Sequence, residues 1–173
     1  KGFRFNDIDV LVIGESKINK DILEERTGIK VHIIQITNNA LIKGLETDPL
    51  YRIMLSRCVS KKRLIYKTKQ KINYKLLDLH LLKSKLLTDN FDFLTGNEKY
   101  EMTRNLIAIK RFIHKKEISK QAVDSEINGI FGNIEDIRNN LAKKNDFIGK
   151  YKRVYNETQN LILEGIKNEP KQK

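Results

Sequence analysis

The stretch Asn6-Asp7-Ile8-Asp9-Val10-Leu11-Val12-Ile13-Gly14 constrains this chain more than any other. Two carboxylates lead straight into a β-branched and aliphatic run that ends at a glycine, the pattern of a strand buried on both faces. Side chains on a strand repeat every second residue, so Asp7 and Asp9 project from one side of the sheet. Like charges that close repel, and a divalent cation relieves the repulsion. Hard oxygen ligands on a short arc suit Mg2+, which keeps several waters and completes its shell with substrate phosphates. The plainer reading is that the two aspartates end a strand at its solvated edge.

A second strand follows after one helix. Ser16 is placed to cap a helix from about Ile18 to Arg26 that stops at Gly28. Lys30-Val31-His32-Ile33-Ile34-Gln35-Ile36 then reads as a strand, and a strand, helix, strand order belongs to a mixed or parallel sheet. A short helix with Leu41, Ile42 and Leu45 comes next, then Asp48-Pro49 as N-cap and first turn of another, and Leu64-Ile65-Tyr66 as a last short strand. Lys1-Gly2-Phe3-Arg4-Phe5 runs into the acidic strand without an initiator methionine, so the chain is expected to begin partway through its domain.

From residue 67 onward the pattern is helical. Ile72, Leu76, Leu79, Leu82 and Leu86 repeat at helical spacing up to Asp89-Asn90. Thr95 and Glu98 form a capping box before a helix with Met102, Leu106, Ile109 and Ile113 on one stripe. Ser119 to Ile130 and Ile134 to Ala142 make two more helices. A long one with Phe147, Tyr151, Val154, Leu161 and Ile162 ends before Pro170, with a fraying lysine-rich end. Five helices with short connections make a bundle. The expectation is therefore an α+β chain: residues 1–66 as an α/β domain with a small mixed sheet, and residues 67–173 as an all-α bundle.

Composition narrows the partners. A net charge of +12 favours anions such as nucleotides or RNA, although a genome's habit of lysine and asparagine gives the same balance. Lys61, Lys62, Arg63, Lys67, Lys69, Lys71 and Lys75 concentrate that charge over residues 61–75, which hold no acidic residue. The lone cysteine, Cys58, excludes an internal disulfide and a cysteine-rich zinc site, and reads as core. No apolar run reaches the roughly 20 residues of a membrane span, so the expectation is a soluble, cytoplasmic chain. His80 and His114 read as ordinary helix residues, and Tyr51, Tyr66 and Tyr74 as core-flanking tyrosines or stacking platforms for bases. No Walker loop or dinucleotide fingerprint is present.

The acidic strand, the preceding Lys1-Gly2 and the strand Lys30-Val31-His32-Ile33-Ile34 together resemble the minimal nucleotidyltransferase domains of the polymerase-β superfamily. These are related to kanamycin nucleotidyltransferase and to the antitoxins that modify HEPN-domain toxins. The resemblance covers about residues 1–66; Arg111-Phe112-Ile113-His114 echoes the Arg-and-His motif of HEPN ribonucleases, but at too short a spacing. The resemblance implies transfer of a nucleoside monophosphate from an NTP, ATP being the one expected, to a hydroxyl on RNA, protein or a small molecule. Asp7 and Asp9 would hold Mg2+ against the triphosphate, and Gly2, with Lys1 beside it, would match the later glycine of the family's phosphate loop. His32 stands where active members often carry a third carboxylate. It is a candidate base, but a poor Mg2+ ligand, which leaves open one-metal transfer or nucleotide binding without turnover. The alternative is a catalytically weakened module that binds a nucleotide, RNA or a partner protein. A homo-oligomer is compatible with either.

Overall fold

The computed structural model describes residues 6–59 and 68–168. It is an α+β chain, mostly helical, with two strands and eight helices among the described residues. In order these are β1 (Asp7–Ile13), α1 (Lys20–Thr27), β2 (Lys30–Ile36), α2 (Asn38–Thr47), α3 (Pro49–Leu55), α4 (Tyr74–Asp89), α5 (Gly96–Ile113), α6 (Lys120–Phe131), α7 (Ile134–Arg138) and α8 (Lys144–Asn168). Lys1, Gly2, the strand expected at Leu64–Tyr66 and most of the basic run lie outside the described residues.

The chain divides into two compact units between Gly44 and Leu45, inside α2, whereas the sequence placed the boundary after residue 66. The physical reason lies in α3. Its Ile53 is buried among helical-unit residues such as Leu77 and Phe112, and its cap Asp48 bonds to His80 of α4.

In the first unit, β1 and β2 pair in parallel, from Asp7 opposite Lys30 to Ile13 opposite Ile36. A parallel pair needs a crossover, and α1 supplies it. Asn19 caps α1 by accepting from the Asp21 and Ile22 amides, so Ser16 is not the cap. Gly28 ends the helix in the left-handed region, at φ 64°, where a glycine carries no Cβ penalty. Glu24 then accepts the Val31 amide at 2.8 Å and fixes the start of β2 to the helix.

The acidic strand is not buried on both faces. Its even-numbered side chains share a face with Val31, and on that face Val12 and Val31 are buried. The odd-numbered face carries Asp7, Asp9, His32 and Ile34, all exposed. The described residues contribute two parallel strands to this sheet, not the expected mixed sheet.

The second unit is built around α5. Leu106, Ile107, Ala108 and Ile109 are buried consecutively, which a helix permits only when neighbours cover it all round. Those neighbours are α3, α4, α6, α7 and α8. The Thr95–Glu98 capping box starts α5 as expected, with the Thr95 amide donating to Glu98 Oε2 at 2.7 Å. Phe91, Phe131, Phe147 and Tyr151 form an aromatic cluster with centroids 5.2–6.2 Å apart along the chain of contacts.

Three helical expectations need correction. On α4 the buried residues are Leu77, Leu81, Ser84 and Leu87, whereas the expected core residues Leu79, Leu82 and Leu86 are exposed. The fourth bundle helix stops at Arg138 and does not reach Ala142; Asn140 follows with φ 58°, a conformation that ends a helix. Cys58 is exposed, since it follows the end of α3 and lies outside the packed helix faces.

Candidate functional site

The acidic strand and β2 place the candidate residues by register alone. Asp9 is paired with His32 and Asp7 with Lys30, and in a parallel ladder paired residues share a face. Asp7, Asp9, Lys30 and His32 thus form two adjacent rows on the open face near the start of β1. His32 Nδ1 stands 3.3 Å from Asp9 Oδ1. The Asp9 side chain is 74% exposed, so its carboxylate is accessible and its pairing with His32 is worth little stability.

This arrangement brings together three of the five sequence-predicted residues, Asp7, Asp9 and His32. Lys1 and Gly2 lie outside the described residues. Lys30 was missed by sequence reasoning; only strand register reveals it, because it lies far from Asp7 in the chain and close across the ladder.

A metal fit follows from donor chemistry. Two carboxylates on one exposed face match the one or two that Mg2+ takes from a protein when phosphates and water supply the rest. Among the described residues no group of three His, Cys, Asp or Glu side chains is placed to hold a metal. By donor type Asp7 and Asp9 fit one Mg2+ whose remaining ligands come from outside this pair.

The remaining candidates have structural partners. Arg111 donates from Nε to the Glu117 carbonyl at 2.6 Å and pairs with Glu126, while His114 is the exposed C-cap of α5. Tyr74 lies against Gly165 so closely that an added Cβ there would stand 2.2 Å from its ring. His80 is bonded to Asp48. No helix among the described residues is long and apolar enough to cross a membrane. No family model, no curated protein and no solved structure matches the chain.

Proposed function

We propose that the chain is a Mg2+-dependent nucleotidyltransferase that moves a nucleoside monophosphate from an NTP to a hydroxyl acceptor. The observation that carries this reading is the pair Asp7 and Asp9 on one accessible strand face, with His32 beside Asp9. The order of β1, α1 and β2 before a helical unit is compatible with a nucleotidyltransferase fold of the polymerase-β type.

Bound Mg2+ would neutralise triphosphate charge as pyrophosphate departs. Asp7 and Asp9 would supply its protein oxygens. Lys30, opposite Asp7 in the ladder, would add positive charge on the same face. The acceptor oxygen attacks the α-phosphorus, the bond from that phosphorus to the bridging oxygen of pyrophosphate breaks, and the acceptor proton passes to His32 Nε2. Asp9, whose Oδ1 lies 3.3 Å from Nδ1, stands beside the ring on the side away from Nε2.

A second reading is nucleotide or partner binding without turnover, in the manner of an antitoxin-like module. It is favoured by the same 3.3 Å approach of His32 to Asp9, which sets an imidazole beside an oxygen the metal would use. RNA remains a candidate acceptor or ligand on charge grounds.

One assay separates the readings. The protein is incubated with Mg2+ and α-labelled NTPs, alone and with tRNA or cell extract, beside Asp9→Asn. Label transfer that Asp9→Asn abolishes is the expected result. Transfer that survives Asp9→Asn removes Asp9 from the mechanism, and nucleotide binding without transfer selects the second reading.

A further inference from the structure

One face of α4 packs into the helical unit through Leu77, Leu81, Ser84 and Leu87, and the opposite face carries a second stripe. That stripe is Lys75, Leu79, Leu82, Leu86 and Asp89, all exposed, with the three leucines 55%, 54% and 50% open. The steps along it are four, three, four and three residues, the heptad seam of a two-helix coiled coil. It runs roughly 21 Å at 1.5 Å per residue.

The charges at its ends identify the occupant. Lys75 lies in the first turn of α4 and Asp89 is its last residue, so each stands at the end where the helix dipole disfavours it. Within α4 Asp89 accepts a hydrogen bond from the Thr88 hydroxyl at 3.1 Å, which leaves its other oxygen for an outside partner. A second helix running antiparallel rewards this order, because it sets an aspartate beside each lysine and opposes the two dipoles.

We propose that α4 is a self-association surface on which a second copy of this chain packs its own α4 antiparallel. A two-fold axis through Leu82 brings Leu82 against its copy once, and Leu79 against Leu86 of the other protomer and Lys75 against Asp89 twice each. Asp78 and Lys85, flanking the seam, fall within reach of each other across the same axis. A parallel pairing would instead oppose Lys75 to Lys75 and Asp89 to Asp89. Lys83 alone meets its copy near the axis, and its long stem lets the ammonium turn to solvent. The proposal is independent of any nucleotide chemistry.

The test is sedimentation equilibrium of the full chain over a concentration series at low and high salt, with far-UV circular dichroism to confirm folding. The chain is expected to dimerise reversibly, and Leu82→Glu, on the axis, to be monomeric at all concentrations. Lys75→Glu and Asp89→Lys each weaken dimerisation about tenfold at low salt, and the double variant restores it to within about threefold. A monomeric wild-type chain, a dimer that survives Leu82→Glu in the folded state, or a charge swap that restores nothing would each overturn the proposal. Restoration by the swap also separates a paired seam from non-specific leucine contact, which charge exchange cannot rescue.

Discussion

His80 Nε2 lies 3.1 Å from Asp48 Oδ2, and this contact ties the first turn of α3 to the middle of α4. Asp48 is doubly engaged. Its other oxygen accepts from the Leu50 and Tyr51 amides as the N-cap of α3, at 2.8 and 3.3 Å. Burial on its own would raise the Asp48 carboxyl, but the His80 hydrogen bond and charge and the two amides outweigh it. They hold the carboxyl below its ordinary range. The ionised form is thus the one the fold uses, which makes His80 Nε2 the donor.

A folded-state value below the unfolded one gives stability that is present above the unfolded pKa, about 3.9, and is lost as pH falls through the folded value. Acid titration of the folded chain should therefore show a loss from Asp48 beginning near pH 4. Asp48→Asn should cost about 1–2 kcal/mol at pH 7, from the loss of the charged hydrogen bond to His80. It should also flatten this part of the acid limb. Urea unfolding of both proteins between pH 3 and 7 checks this, and parallel pH curves would refute it.

Gly96 opens α5 where a side chain has no room. A Cβ there would stand 1.9 Å from the Arg138 carbonyl oxygen and 2.7 Å from that of Ile137. Both obstacles are backbone, so Gly96→Ala forces α5 and the end of α7 apart. The expected loss is about 2–3 kcal/mol, the upper part of the range for overpacking. Gly129→Ala, with open space around its Cβ, is the control and should be stabilising or neutral by thermal melting.

Legibility in the sequence followed how local the determining physics was. The Thr95–Glu98 box, the Asp48-Pro49 start of α3 and the Gly28 stop of α1 are all settled within a few residues, and all are present. So are the two strands and the helical second half. What depends on a distant partner was less readable. The division inside α2 is set by where α3 packs, and the pairing of Asp9 with His32 by ladder register. The α4 stripe is the clearest case. Leucine occurs on both sides of that helix, so periodicity offers two stripes half a turn apart and no polar face to choose between them. The choice is made by the shape of α5 and α8, which α4 packs against.

Leu81 and Leu82, neighbours in sequence, should therefore behave oppositely. Leu81 is 1% exposed within the core and Leu82 is 54% exposed on the seam. Leu81→Ala should destabilise by about 2–5 kcal/mol through lost burial and the cavity left behind. Leu82→Ala should stay within about 0.5 kcal/mol at concentrations where the chain is monomeric. Equal losses at the two positions in chemical denaturation would show that α4 is turned the other way.

His32 offers the sharpest test of the acidic face, because a gain is harder to produce by accident than a loss. Its partner in the ladder is Asp9, and its exposed position tolerates a smaller side chain without opening a cavity. His32→Asp would set a third carboxylate beside Asp7 and Asp9 and release Asp9 Oδ1 from the imidazole. If these residues hold Mg2+ against a triphosphate, the variant should bind Mg2+–ATP about tenfold more tightly, the effect of one added ligand of about 1.4 kcal/mol. Asp7→Asn and Asp9→Asn should weaken the same binding by a similar factor. ATP without Mg2+ should bind His32→Asp less well than wild type, since a third negative charge then repels the phosphates unrelieved. Isothermal titration with and without Mg2+ reads both signs. Binding that ignores the metal in all four proteins would place the nucleotide elsewhere.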